Sequence, residues 1–301
     1  MQFMRYKILY FSISLIVLVP SLISLILFGV KPAIDFTGGA LLEVSMKPME
    51  GKEVNETSIR DAAGNEFDLF SIQKTGEGTV LIRSKPLSQE KKSMLIDRFR
   101  DALGEVEEVR FETVGPTIGA ELLRKTITAI IIAAILILLY VAYRFREFRY
   151  GVCAILAMFH DTFIVLGVFS LLGHFANVEV DTLFVTALLT TLSFSVHDTI
   201  VVYDRIRENR SRHAGEPFPL IVNHSILQTI GRSLNTSATV VMTLLALLLF
   251  GGEAIRYFVL ALLIGIVSGT YSSIFNASAL LVSWHEWEAG RKATRVAMAR
   301  R

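Results

Sequence analysis

His197 and Asp198 stand side by side in SFSVHDTIVVYDRIREN (Ser193–Asn209), a stretch that is mostly apolar in its first half and dense with charge in its second. A second pair, His160–Asp161, sits in another apolar stretch, and Arg232 opens a third. An ionised side chain at the centre of a bilayer costs at least about 2.5–3.5 kcal/mol, so such residues face a bundle interior and mark proton or ion paths. Thr191, Ser195 and Asp198 are spaced four and three apart, which puts them on one helical face. The resulting polar stripe ends in a carboxylate, as a proton relay requires. The competing reading makes Asp198 a helix-packing contact or a snorkelling residue near the interface. Adjacent helical residues point about 100° apart, so His197 either tunes Asp198 or hydrogen-bonds a neighbouring helix. The residues alone favour the second.

The His160–Asp161 pair is read as a second ionisable position on such a path or as a buried polar anchor. Two His-Asp pairs also suggest a metal, because imidazole and carboxylate ligate zinc. Neither pair, however, has another ligand three or four residues away on its own helix. Arg232, followed on its face by Thr236, Thr239 and Thr243, either pairs with Asp198 or is one of the basic residues that mark a cytoplasmic helix end. A serine hydrolase is disfavoured: Ser195 and His197 do not share a face, and no G-x-S-x-G elbow occurs. There is no Walker loop, so any work requires an ion gradient or a partner. The single cysteine, Cys153, rules out an intrachain disulfide and a thiolate metal cluster; it is read as a small packed apolar residue. No metal and no cofactor are expected.

These residues need apolar elements to hold them. The chain has 301 residues, 52% of them hydrophobic and 19% charged, with a mean hydropathy of +0.51. Soluble domains carry roughly 25% charge, so the composition points to a membrane protein. Six segments approach the roughly 20 apolar residues of a spanning helix: Ile8–Gly29, Thr126–Tyr143, Gly151–Leu172, Thr182–Tyr203, Leu234–Phe250 and Tyr257–Trp284. The first is longer than a signal-peptide core of about 7–15 residues and has no A-x-A-like site after it, so it is expected to be retained, with a kink at Pro20.

Lys and Arg gather on the cytoplasmic side of short loops. Arg5 and Lys7, then Arg144, Arg146 and Arg149, then Arg205, Arg207, Arg210 and Arg212, and finally Arg291, Lys292, Arg295, Arg300 and Arg301 all fall on one side if six helices alternate. Gly173–Asp181 contains no Lys or Arg. Both termini are therefore expected in the cytoplasm and the polar stretch after helix one outside. In that stretch Ala40–Met46, Phe67–Gln73, Thr79–Arg83 and Val106–Val114 read as strands, with a turn at Lys74–Gly78. Thr57–Ala63 and Gln89–Leu103 read as helices, the latter capped by Ser88 and burying Met94, Leu95, Ile96 and Phe99. The β-α-β-β-α-β order matches the split βαβ motif of ferredoxin-like folds. The expected fold is an all-α membrane bundle of six transmembrane helices with an inserted α+β ferredoxin-like extracytoplasmic domain. Its parts are the N-terminus and first helix (1–30), the outer domain (31–125), helices two to six (126–284) and a basic cytoplasmic tail (285–301). Gly265, Gly269, Ser273 and Ala277 recur every four residues on the last helix, a spacing that admits close helix packing. Tyr271, Ser272 and Asn276 add hydrogen-bonding groups there.

Together these motifs resemble the SecD/SecF family. AIDFTGGA (Ala33–Ala40) resembles its I-D-F-T-G-G signature, carried here by Asp35, Phe36, Thr37, Gly38 and Gly39. TLSFSVHDTIVVYDRIREN (Thr191–Asn209) resembles G-Y-S-x-N-D-T-I-V-V-F-D-R-I-R-E-N, and HDT (His160–Thr162) resembles H-D-V. GRSLNTSAT (Gly231–Thr239) is similar to R-T-L-x-T-S-x-T, and GTYSSIFNASALL (Gly269–Leu281) to G-T-Y-S-S-I-F-x-A-x-P-L-L. The resemblance runs the length of the chain and implies a multi-pass subunit of the bacterial inner membrane, related to the resistance-nodulation-division superfamily and without chemical catalysis. It implies pairing with SecD, association with the SecYEG channel and YajC, and exported unfolded polypeptides and protons as cargo, with no nucleic acid. It also implies that Asp198 and Arg232 serve proton transport. Departures are Ser193-Phe194 for Gly-Tyr, His197 for Asn and Ala279 for Pro. Two rival functions are a proton-driven small-molecule or lipid exporter of the same superfamily and a purely structural membrane partner.

Overall fold

The computed structural model describes residues 2–49, 54–64, 66–75, 79–145 and 147–299. Arg146, Arg300, Arg301 and the expected turn at Gly76–Gly78 lie outside them. The chain first runs α1 (Lys7–Phe28), one turn α2 (Ile34–Thr37), β1 (Gly39–Pro48), α3 (Glu56–Ala63), β2 (Leu69–Thr75), β3 (Thr79–Ser84), α4 (Gln89–Leu103) and β4 (Gly104–Val114). Then follow α5 (Pro116–Phe145), α6 (Phe148–Ala176), α7 (Thr182–Arg212), α8 (Phe218–Phe250), α9 (Arg256–Tyr271), a π-helical turn Ser272–Asn276 and α10 (Ala277–Ala299). Contacts divide the chain into two units, Met1–Lys31 with Ala129–Arg301, and Pro32–Thr128.

Six helical stretches are long and apolar enough to cross a membrane: Phe3–Phe28, Pro116–Phe145, Phe148–Ala176, Thr182–Arg212, Phe218–Phe250 and Arg256–Arg291. The six expected spans are all present, and all extend beyond their apolar cores. Hydropathy locates where apolar residues end, whereas the backbone hydrogen-bond ladder continues until something interrupts it. The largest difference is in α8, which starts at Phe218 with Pro217 as its N-cap, not at Leu234. Arg232 thus lies inside a helix and does not open one. α1 passes through Pro20 without interruption.

Small residues bring the bundle helices together. A Cβ on Gly167 of α6 would lie 2.2 Å from Ser21 Cβ of α1. On α9, a Cβ on Gly265 would lie 2.4 Å from Thr191 Cγ2, and one on Gly269 would lie 3.1 Å from Ser195 Cβ. The four-residue spacing read from the sequence is therefore the contact between α9 and α7, as close backbone approach requires. It continues where the Tyr203 hydroxyl donates to the Ala277 carbonyl at 2.9 Å. Ser273 in the π turn is fully buried, and Cys153 is packed in the core. Ion pairs tie the basic helix ends together: Arg144 to Asp204 at 2.7 Å, Glu147 to Arg149 at 2.8 Å and to Arg210 at 3.1 Å, Arg149 to Glu288 at 3.1 Å, and Lys7 to Glu286.

In the second unit, an antiparallel sheet has strand order β2-β3-β1-β4. One core joins Leu42, Val44 and Ile82 of the sheet to Ile59 of α3 and Leu95, Phe99 and Leu103 of α4. Ser88 caps α4 by accepting from the Lys91 amide. Met94 is a correction: it is 48% exposed, and Lys92 is buried in its place. Lys92, Leu95, Ile96, Phe99 and Leu103 follow the helical period and Met94 does not. The lysine stem lies along the apolar face while its Nζ pairs with Glu108 at 2.8 Å. α3 rests on a reciprocal cap, with Asn55 Oδ1 accepting from the Ser58 amide at 2.8 Å and the Ser58 hydroxyl accepting from the Asn55 amide at 3.0 Å.

The residues of Asp35–Gly39 form α2 and the entry to β1. Gly38 and Gly39 have φ of 71° and 133°, in the region that favours glycine. A Cβ on Gly38 would lie 2.7 Å from Pro116 Cα, and one on Gly119 would lie 2.8 Å from Gly38 N. The signature thus joins the start of β1 to the first turn of α5.

Candidate functional site

The site lies where α6, α7 and the sixth span meet; that span (Arg256–Arg291), here helix six, comprises α9, the π turn and the start of α10. Asp161 is 3% exposed and its carboxylate is surrounded by donors. Ser268 Oγ donates to Oδ1 at 2.7 Å, while Ser195 Oγ and Ser272 Oγ donate to Oδ2 at 2.6 Å each. His160 Nδ1 lies 3.0 Å from Oδ1. An amide nitrogen only donates, so the contact of Asn276 Nδ2 with His160 Nε2 leaves the imidazole proton on Nδ1. His160 Nε2 then accepts from Asn276 Nδ2 at 3.5 Å, and the same amide donates to Ser14 Oγ of α1 at 2.6 Å. A polar network thus runs through four helices inside an apolar bundle.

Asp198 is in a different setting. It is 4% exposed, yet its Oδ2 is buried with no hydrogen-bond partner among the described residues. His197 and Arg232 are both exposed on the outside of this bundle, and neither bonds that oxygen. Ser233, next to Arg232, is buried, and its hydroxyl also has no partner among the described residues. A buried oxygen without a partner is costly, and it is the position from which a proton, a water or a charge on another chain would be accepted.

The stripe read as Thr191–Ser195–Asp198 therefore splits. Thr191 bonds the Leu188 carbonyl of its own helix, Ser195 turns to Asp161, and Asp198 stays apart. Ser14 and Ser268 escaped the sequence reading; Ser268 and Ser272 sit at i, i+4 on one face, which is the only local signal. Among the described residues, no three His, Cys, Asp or Glu side chains come together as a metal would require.

A family described as "Protein export membrane protein SecD/SecF, C-terminal" matches residues 95–287. A protein translocase subunit SecF of Thermobaculum terrenum is 49% identical over 295 residues, covering 93% of this chain and 92% of that one. The chain belongs to the SecF family. Within that family, the SecF subunit of Anaerolinea thermophila is 42% identical, covering 93% of this chain and 92% of that one. The crystal structure of SecDF from Thermus thermophilus, titled a translocon-associated membrane protein, superposes with a TM-score of 0.83 at 38% identity. It covers 95% of this chain, which spans 39% of the SecDF chain.

Proposed function

We propose that this protein, together with SecD, couples the proton motive force to late-stage export of unfolded polypeptides through the SecYEG channel, with YajC as a further associate. It performs no chemical catalysis and holds no cofactor. One observation carries this reading: Asp198 is buried with an unpartnered oxygen, while His197 beside it and Arg232 are exposed on the bundle. An acid so placed can gain and lose a proton, and a face bearing Arg232 and His197 in a membrane bundle calls for a second membrane chain to cover it. The SecDF relative, in which the matching segment is part of a longer chain, supports SecD as that partner. In the proton path Asp198 is the carrier, Arg232 and His197 are the charged groups around it, and His160–Asp161 is the adjacent ionisable position.

The proposed setting is the bacterial inner membrane, with both termini cytoplasmic and residues 31–125 outside as a ferredoxin-like domain. The strand order β2-β3-β1-β4 with two interposed helices supports that fold. The ion pairs gathering the basic helix ends support the orientation. Cysteines at positions 210 and 301 should be shielded from reagents outside sealed cells and one at 90 should react; the opposite pattern would overturn the orientation.

The mechanism is tested by Asp198→Asn, which keeps size and hydrogen bonding but cannot ionise. The variant should insert and bind SecD but lose proton-gradient-stimulated release of a secreted protein from membrane vesicles. Full stimulation would make Asp198 a packing residue and end the proton-coupling reading.

A further inference from the structure

A carboxylate offers two oxygens and about four lone-pair sites. Asp161 has them filled: three serine hydroxyls at 2.6–2.7 Å and one imidazole nitrogen at 3.0 Å. Hydroxyl contacts this short are those of charge-assisted bonds to an anion. The donors come from separate elements, Ser195 from α7, Ser268 from α9 and Ser272 from the π turn. Ser268 and Ser272 bracket the point where the α-helical ladder of helix six gives way to π geometry, a distortion found frequently at functional sites. A protonated Asp161 would present a donor among donors, and one hydroxyl would have to turn away.

The geometry points to Asp161 as a positioning residue: its bonds to Ser195, Ser268 and Ser272 pin α7 to the π turn of helix six, so that Asp198, one turn further along α7, is held where it can exchange its proton. Asp161 is thus the fixed acid and Asp198 the exchanging one. This rests on the proposed proton coupling at Asp198, and its test is separable from that reading.

The measurement is gradient-stimulated release from vesicles containing the full chain with SecD, with co-purification of SecD recorded for every variant. Ser268 is only part-buried. Ser268→Thr keeps the hydroxyl and should stay within about twofold of the parent, while Ser268→Ala should lose roughly ten- to hundredfold, as expected for one hydrogen bond to a charge. A residue that merely fills space would give the reverse order, because alanine departs less from the packed volume of serine. Asp161→Asn should reduce stimulation without abolishing it, and adding Ser268→Ala to it should cost nothing further, because the shared acceptor is already altered. Equal behaviour of the Ser268 variants, or independent losses in the double variant, would remove the anchor. Loss in Asp161→Asn as complete as in Asp198→Asn, with SecD still bound, would make Asp161 a carrier and overturn the proposal. If Asp161→Asn no longer assembles, the Ser268 pair decides alone. Unimpaired Asp198→Asn would instead overturn the underlying coupling.

Discussion

Ser195 donates a 2.6 Å hydrogen bond to Asp161, although it shares its helical face with Asp198, three residues on. Two acids close in the bundle therefore have opposite environments, one saturated with donors and one with an oxygen left bare. Gly269 makes this arrangement possible, since a side chain there would press on Ser195. Packing and chemistry are set by the same contact.

Arg232 is exposed on the bundle face and makes no bond to the unpartnered Asp198 oxygen. Arg232→Met should lower gradient-stimulated export almost as far as Asp198→Asn, while Arg232→Lys keeps the charge and should retain part of it. His197→Asn should keep activity and displace only its dependence on pH. The check is stimulated release measured across a pH series, with SecD binding followed in parallel. Full activity of Arg232→Met would leave the arginine as a helix-end charge.

Gly265 has no room for a side chain, because an added Cβ falls 2.4 Å from Thr191 Cγ2. Overpacking of this kind costs about 1–3 kcal/mol. Gly265→Ala should therefore lower the thermal midpoint of the purified chain and loosen the contact between α9 and α7, although alanine normally favours a helix over glycine by about 1 kcal/mol. Adding Thr191→Ser removes the methyl but leaves the Cβ of residue 191 at 2.6 Å, so the double variant should recover only part of the loss.

Gly115 and Gly119 make a matched pair. A Cβ at Gly119 would fall 2.8 Å from the Gly38 nitrogen, while one at Gly115 meets only Ile118 Cδ1 at 4.0 Å. Gly119→Ala should speed amide exchange at the start of β1, and Gly115→Ala should leave it within about 0.5 kcal/mol of the parent. Equal protection in both variants would show that the signature Asp35–Gly39 does not depend on this close approach.

Phe99 is fully buried beneath the sheet. Phe99→Ala should cost about 3–5 kcal/mol, a large share of the roughly 5–15 kcal/mol that holds a domain together. Residues 32–128 expressed alone should be soluble and mixed α/β, and the variant should unfold at markedly lower urea. A disordered spectrum for the parent segment would mean that it needs the rest of the chain to fold.

The six spans, the order of strands and helices between the first two, the Ser88 cap and the family are all legible in the amino-acid sequence. Each is written locally, as apolar length, as alternation, as a side chain beside the amide it caps, or as a motif. It also showed that glycines 265 and 269 would admit a close neighbour. Only the tertiary structure decided that the neighbour is α7 at Thr191 and Ser195, because a stripe of small residues does not name the face it meets. The start of α8 at Phe218 was hidden by the mixed polarity of the residues up to Arg232, where helical hydrogen bonding persists without an apolar signal. Met94 and Lys92 exchanged places because the angle around α4 decides burial, and a long lysine stem can lie on an apolar face. The division of labour between Asp161 and Asp198 was the least legible. The serines that bond Asp161, Ser195, Ser268 and Ser272, are 34 to 111 positions from it in the chain, and a carboxylate is saturated or bare according to which hydroxyls the packed helices bring within 3 Å.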